Sequence, residues 1–364
     1  MRSGDVPKES SADKGGRVTE LFVTNFNPNF TGVSATAAGI VGVQKGQFDL
    51  ALVGEPLPEC PAPISRKAAI AASKTPPKGR DFAIWHVRRN PEMRVAIWAR
   101  DVLRCPIKIV FTSAAQRFHS AYPRWLINRM DAVIATTPEA ANFVPHVRAV
   151  VPHGVDTKRF SAGQDRSADW DAFGYGGRVG LATVGRVRPE KGTDLFVDAM
   201  IRTLPEHPDA VALVVGRAAR EHRSFEQDLK DRVAAAGLSD RILFVGELPP
   251  EQLPALMRGI SLLVALPRYE GYGMTPLEAM ASGAPFVASN AGYYRAFSGK
   301  GAAGSVIGQE DVDGAVVEIN RLLSDPATLS RMSDSAVARA RGHYSIEGEA
   351  AGIAQVYEAL WQNG

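Results

Sequence analysis

The chain has 364 residues, 45% of them hydrophobic and 22% charged, and a net charge of only +3. That is the composition of a soluble globular protein, long enough for two domains of roughly 150–200 residues, and no apolar run approaches the ~18 residues of a membrane span. The two cysteines, Cys60 and Cys105, have no metal-binding or CxxC spacing, which excludes a disulfide scaffold and points to a reducing, cytoplasmic compartment.

Residues 1–17 are polar and lack the apolar core of a signal peptide, so they are expected to form a disordered leader. VTELFVTNF (18–26) then reads as a buried strand, followed by a glycine-bearing turn and a helix of small residues, NPNFTGVSATAAGIVGVQKG. Further apolar runs come at FDLALVG (48–54), DFAIWHV (81–87), IKIVFTS (107–113), DAVIATT (131–137) and VRAVVPHGV (147–155), with PEMRVAIWARDVL and YPRWLINRM as helices between them. Near-continuous apolar strands alternating with helices predict a parallel sheet covered on both faces. This series defines a first domain over 18–160. Residues 161–177, rich in Gly, Asp and Ser, read as a linker.

A second series starts at RVGLATVG (178–185) and continues through AVALVVG, RILFVGE, SLLVAL and PFVAS, with helices from about Asp194, Ser224, Pro250 and Thr275. It defines a second domain over 178–344. The last helical stretch, in 345–364, is expected to pack back on the first domain. The fold class is therefore α/β: two Rossmann-like domains facing across a cleft, with ligands expected at the carboxyl ends of the strands.

Charge is unevenly spread. Residues 66–130 hold 14 basic and 3 acidic residues. Such an excess is either a solvated basic face or a surface for an anionic partner, a membrane or an acidic glycan. No nucleic-acid-binding motif accompanies it, so nucleic acid is not expected as a partner.

No GxGxxG follows a strand, and SGKGAAG (298–304) lacks the upstream glycine of a phosphate loop, which removes the usual signals of dehydrogenases and nucleotide kinases. At the end of the second domain's first strand stands VGRVRPEKGTD, with Arg186 and Lys191. Taken alone this could be a solvated turn, but two cations at a strand's carboxyl end also suit a diphosphate.

RYEGYGMTPLEAMASGAPFVAS (268–289) follows another strand of the same domain. Thr275, Pro276 and Glu278 match an N-cap, a first helical position and a capping box. That leaves Glu270, Gly271 and Gly273 unexplained. Glycines let backbone amides turn to a ligand, the helix start favours phosphate, and carboxylates accept hydrogen bonds from hydroxyls. A ligand that is part polyol and part phosphate, a nucleotide sugar, accounts for both stretches. Asp311 and Asp313 have the DxD form of some manganese sites, but at the start of DVDGAVVEINRLL they read better as helix-capping acids.

VGRVRPEKGTDLFVDAM together with YEGYGMTPLEAMASGAPFVAS resembles the retaining glycosyltransferase family four, of the GT-B fold, with its E-x7-E motif. The resemblance implies that Arg186 and Lys191 hold the donor diphosphate. It gives Glu270 hydroxyls of the transferred sugar, Glu278 the ribose, and the backbone of Gly271, Tyr272, Gly273, Met274 and Thr275 the sugar and phosphate. Gly32, in the Thr31-Gly32-Val33 turn, resembles the first-domain glycine loop, and His153 stands where the family more often has Asn.

For a first-domain histidine near the sugar the candidates are His119, beside Arg117, and His86, with His119 preferred. VFTSAAQRFHSAYPRWLINRMDAVIATT is most similar to bacterial lipopolysaccharide core mannosyltransferases. That implies GDP-mannose as donor, an anionic glycolipid acceptor, no metal or other cofactor, and a cytoplasmic protein able to touch the inner membrane. The alternatives are a transferase of another sugar or acceptor, and a catalytically silent nucleotide-sugar-binding protein.

Overall fold

The computed structural model describes residues 19–363, so the expected leader lies outside the described residues. Twelve strands form two parallel six-stranded sheets. The first contains β1 (Leu21–Asn25), β2 (Leu50–Gly54), β3 (Ala83–Val87), β4 (Ile107–Ser113), β5 (Ala132–Ala135) and β6 (Val147–Val150), in the order β2-β1-β3-β4-β5-β6. The second contains β7 (Val179–Val184), β8 (Ala210–Val215), β9 (Ile242–Gly246), β10 (Leu262–Ala265), β11 (Phe286–Ser289) and β12 (Gly304–Ile307), in the order β12-β11-β10-β7-β8-β9. The fold is α/β, as the alternation of apolar runs predicts.

The sheets are apolar on both faces because helices cover both. Along β8, Val211, Leu213 and Val215 pack on one side with Trp170 and Phe286, while Ala210, Ala212 and Val214 pack on the other with Phe196 and Met200. Only the edge strand β6 alternates between part-buried and exposed residues, as a strand with one free side should.

Two segments differ from their sequence reading. The stretch read as a linker contains a helix, Arg166–Asp171, capped by Asp165, and Trp170 is fully buried in the second domain's core. Its indole Nε1 donates to Gly176 O at 3.0 Å, and a Cβ on Gly180 of β7 would stand 2.3 Å from its ring. Polar composition hid a single large anchor. Beyond SGKGAAG lies β12, which the sequence reading did not mark as a strand. The glycines there end the short helix Tyr294–Ser298 and enter β12, so the segment runs from helix to strand, the reverse of a phosphate loop.

The chain crosses between the sheets twice, side by side: Val155 N donates to Tyr344 O and Ile346 N to Val155 O. The last helix, Ile346–Asn363, then lies on the first sheet, with Ile353 and Tyr357 in the same core as Leu21, Val23 and Ile84. Its hold is polar as well as apolar. Gln44 Nε2 donates to Ala350 O, Arg80 forks onto Glu358, and Trp361 Nε1 donates to Phe82 O.

Candidate active site

The second sheet's order reverses between β7 and β10, and the loops leaving the carboxyl ends of these strands part there to open a crevice, the place where open α/β sheets take ligands. The first loop carries Arg186 and Lys191, the second Glu270. Lys191 ends a short 3-10 turn, Pro189–Lys191, and is followed by Gly192 in the left-handed region at φ 66°. A Cβ there would stand 1.8 Å from Leu266 O at the end of β10, so only glycine lets the loops close on each other.

They are then tied by Arg268. Its guanidinium forks onto both carboxylate oxygens of Asp194 at 2.9 and 2.8 Å and donates to Pro189 O, while its backbone N–H donates to Glu190 O. The Asp194 carboxylate raises the Arg268 pKa above its ordinary range, outweighing the opposing effect of burial. Arg268 opens the RYEGYG motif, but nothing in its spacing from Glu270 announces a partner 74 residues earlier.

The clasp brings Lys191 Nζ to 2.6 Å from Glu270 Oε2, and Glu270 Oε1 accepts from Gly271 N at 3.0 Å. A small pocket opens beside this pair, lined by Gly185, Arg186, Lys191, Glu270, Thr275 and Tyr294. Arg186 is exposed and has no partner among the described residues. The pocket thus has one free guanidinium, one ammonium, one carboxylate and a helix start.

That helix spans Met274–Ala281, so it begins two residues before Pro276, the first helical position of the capping reading. Its N-cap is Gly273 at φ 95°, with no side-chain cap, and a Cβ on Gly273 would stand 2.1 Å from the Tyr294 ring. Thr275 is therefore not the cap, Pro276 is the third helical residue, and no capping box forms. The first-turn amides of Met274 and Thr275 lack intrahelical acceptors and face the crevice end of the helix.

The Glu278 carboxylate is left with no hydrogen bond or ion pair among the described residues. Burial pushes its carboxyl up to about 7, against the pull of Arg159. A part-buried acid without a partner in its own protein suits a ligand that brings hydroxyl donors.

Tyr272 behaves differently from its neighbours. Its side chain is buried, its O–H donates to His153 O at 2.7 Å, and its ring meets the His153 imidazole edge-on at 4.9 Å. His153 Nδ1 in turn lies 2.7 Å from Glu349 Oε1, whose Oε2 accepts from Gly154 N. Tyr272 thus fastens the Glu270 loop to the crossing between the two sheets, leaving only its backbone for a ligand.

The first domain closes the crevice from the other side. Gln116 Nε2 donates to Gly292 O, and Ala114 O would lie 3.3 Å from a Cβ on Gly271. Gly32 begins the helix Gly32–Gln44 with no atom within 4 Å of its Cβ position, so the space before it is open. His119 follows Gln116 on the same segment. Its Nε2 is buried without a partner, and burial, then the nearby Arg117, lower its pKa. His86, the other candidate, is a core residue: both ring nitrogens are taken, by Tyr357 Oη and by Thr112 Oγ1 at 2.7 Å. Asp311 caps the helix Val312–Leu323 by accepting from Gly314 N at 2.8 Å, and Asp313 pairs with Arg202. Among the described residues no three His, Cys, Asp or Glu side chains are grouped to hold a metal ion.

Residues 175–339, the part that builds this crevice, match the family model described as glycosyl transferases group 1. Over 94% of its length the chain is 42% identical to the lipopolysaccharide core biosynthesis mannosyltransferase LpsB of Rhizobium meliloti, covering 98% of that protein. It is 41% identical to the lipopolysaccharide core biosynthesis mannosyltransferase LpcC of Rhizobium leguminosarum bv. viciae, covering 94% of this chain and 97% of that one. Among solved structures, HepE of Anabaena in complex with UDP superposes with a TM-score of 0.80 at 16% identity, over 94% of this chain and all of that one, a likeness of fold.

Proposed function

The chain belongs to the group 1 glycosyl transferases, and from that premise we propose that it transfers mannose from GDP-mannose, with retention, to the anionic core of lipopolysaccharide. The observation that carries the reading is the crevice between β7 and β10, where two cations and a carboxylate converge beside a helix start. The names of the two relatives above supply the sugar and the acceptor class.

In this reading Arg186, Lys191 and the amides of Met274 and Thr275 take the charge that grows on the diphosphate as its bond to the sugar breaks. Glu270 holds the sugar through its hydroxyls, and Glu278 the ribose. Retention places the acceptor hydroxyl on the face the diphosphate leaves, hence on the first-domain side of the crevice near Ala114 and His119. The charge is met by the protein's own groups, with no metal required.

We place the enzyme on the cytoplasmic face of the inner membrane. Among the described residues no helix is long and apolar enough to cross a membrane. The turn Trp98–Val102 and the helix Ala121–Ile127 instead expose Trp98 (48%), Val102 (63%) and Trp125 (51%). The Arg129 guanidinium stacks on the Trp125 ring and pairs with Asp101 of the turn, which makes the patch continuous, and Arg94, Arg104 and Arg124 are exposed around it. Tryptophans rimmed by cations suit an anionic lipid surface.

A thermal-shift panel of GDP, UDP and ADP, with and without attached sugars, tests the donor. GDP-mannose should give the largest stabilisation, since a ligand at a hundred times its Kd adds about 2.7 kcal/mol. A larger shift with a uridine or adenosine donor would overturn it.

A further inference from the structure

The first sheet also has a reversal, between β1 and β3, so it too has a switch point where a ligand is expected. Arg88 stands there, directly after β3. Its Nε and Nη1 are buried and bonded to nothing, although the residue as a whole is only part-buried.

The acids within electrostatic reach of Arg88 are Glu92 and Glu349, and both are already committed. Glu92 Oε2 accepts from Thr24 Oγ1, Arg88 N and Arg89 N, while its Oε1 accepts from Phe26 N and Arg89 Nη1. Glu349 spends one oxygen on His153 and the other on Gly154 N. The Tyr357 hydroxyl, also close, is engaged with His86. The neighbouring Arg89, by contrast, has both Nη groups engaged, with Asn25, Thr31, Ser34 and Glu92.

Arg88 is not the only unpaired group on this wall. Ser113 Oγ at the end of β4 and Thr136 Oγ1 just past β5 are buried with no partner. Val87 pairs with Phe111 and Ser113 with Ala135, and Thr136 N donates to Ser113 O, so the three strand ends lie side by side. The next residue, Ala114, is the one that approaches Gly271 of the donor loop. Arg88 and Thr136 continue the strand positions that face the last helix, and Ser113 those of the opposite face, so the free donors on Arg88's side of the sheet are its guanidinium and the Thr136 hydroxyl.

We propose that Arg88 binds an oxyanion of the acceptor, a carboxylate or a phosphate, with Thr136 donating to the same group or to a hydroxyl beside it. A guanidinium fits either oxyanion through two parallel N–H groups, and a buried cation without an anion is the costly half of an incomplete pair. The assignment rests on the transferase reading only for its claim that this ligand is the acceptor.

The test is calorimetry on the full chain and its Arg88→Gln and Arg88→Lys variants, with GDP present. The ligands are deacylated lipopolysaccharide inner core, the same core after carboxyl reduction, and the same core after dephosphorylation. Wild type should lose about tenfold or more in affinity for one of the two stripped cores, which identifies the oxyanion. Arg88→Gln should bind native and stripped cores equally weakly, with Arg88→Lys between, and GDP binding should be the same in all three proteins.

Glucuronate and inorganic phosphate serve as probes that do not presuppose the core. If wild type ignores the core yet binds one probe through Arg88, the anion site stands and the lipopolysaccharide acceptor falls. Equal binding of core and probes by wild type and Arg88→Gln overturns the proposal, and so does wild type that binds neither.

Discussion

Lys191 Nζ lies 2.6 Å from Glu270 Oε2, across 79 residues of sequence and between the two loops that flank the β7–β10 reversal. The sequence reading gave these residues different tasks, diphosphate for one and sugar hydroxyls for the other. In the free protein they hold each other. A donor that lies between them has to share or replace that contact, so the pair is coupled before any ligand arrives.

Coupling has a measurable form. Lys191→Ala and Glu270→Gln should each lower transfer on the order of 10²–10³-fold, and the double variant should fall well short of the product of the two. Arg186→Ala, which has no contact with Glu270, should combine with Glu270→Gln close to multiplicatively. Steady-state kinetics on wild type and the five variants decides it; full additivity of the Lys191 and Glu270 effects would deny the coupling.

Glu278 supplies a pH prediction. Its carboxyl sits at about 7 against an ordinary 4.5, because burial disfavours the charge. A raised carboxyl favours folding in its protonated form, so its contribution is full below 4.5 and is lost as pH rises through about 7. Ribose hydroxyls donate to the ionised form, so GDP binding should release a proton near neutrality and strengthen as pH rises past about 7. Glu278→Gln should weaken GDP binding by about 1.5–3 kcal/mol and abolish the proton release, while Glu270→Gln leaves GDP binding near normal. Calorimetry in buffers of different ionisation enthalpy reads both quantities, and unchanged GDP binding in the Glu278 variant would remove the ribose role.

Arg268 is the clasp of the donor loops, not a ligand group. Arg268→Ala should strand Asp194 and cost about 1–3 kcal/mol in stability, with a loss in donor kcat/KM and no change in acceptor KM. Arg268→Lys keeps the charge without the fork and should recover only part of both. Thermal unfolding and kinetics check this, and a stable, fully active Arg268→Ala would show that the loops close without it.

How far these features could be read in the sequence depends on the reach of the interaction. Strands β1 to β11 were all legible as apolar runs, most of them because burial on both faces writes itself that way, and β6 although it is only part-buried. β12 was not, since GSVI is short and preceded by glycines that also look like a loop. Arg186, Lys191, Thr275 and Glu270 were legible as residues, and the structure lines one pocket with them. The capping box was a local inference that lost to geometry: with Gly273 able to adopt a positive φ, the helix starts two residues earlier and frees the Glu278 carboxylate. Arg268–Asp194 and the unpaired Arg88 were invisible, because partners far along the chain leave no mark in local spacing. Trp170 was hidden by its polar neighbours.

The membrane patch predicts that wild type sediments with vesicles of phosphatidylglycerol and phosphatidylethanolamine, less so at high salt, and weakly with phosphatidylcholine. Trp98→Ser with Trp125→Ser should lose most of that binding and keep GDP affinity, since both side chains are exposed and outside the crevice. Equal sedimentation of wild type and the double variant would move the contact elsewhere on the surface.

The central claim is met most directly by incubating the protein with GDP-mannose and deacylated lipopolysaccharide inner core in EDTA, and reading the product by NMR. The account predicts one new α-linked mannose, undiminished by EDTA and nearly absent with Lys191→Ala. Transfer from a UDP-sugar in place of GDP-mannose, a β-linked product, or a strict need for added metal would contradict it.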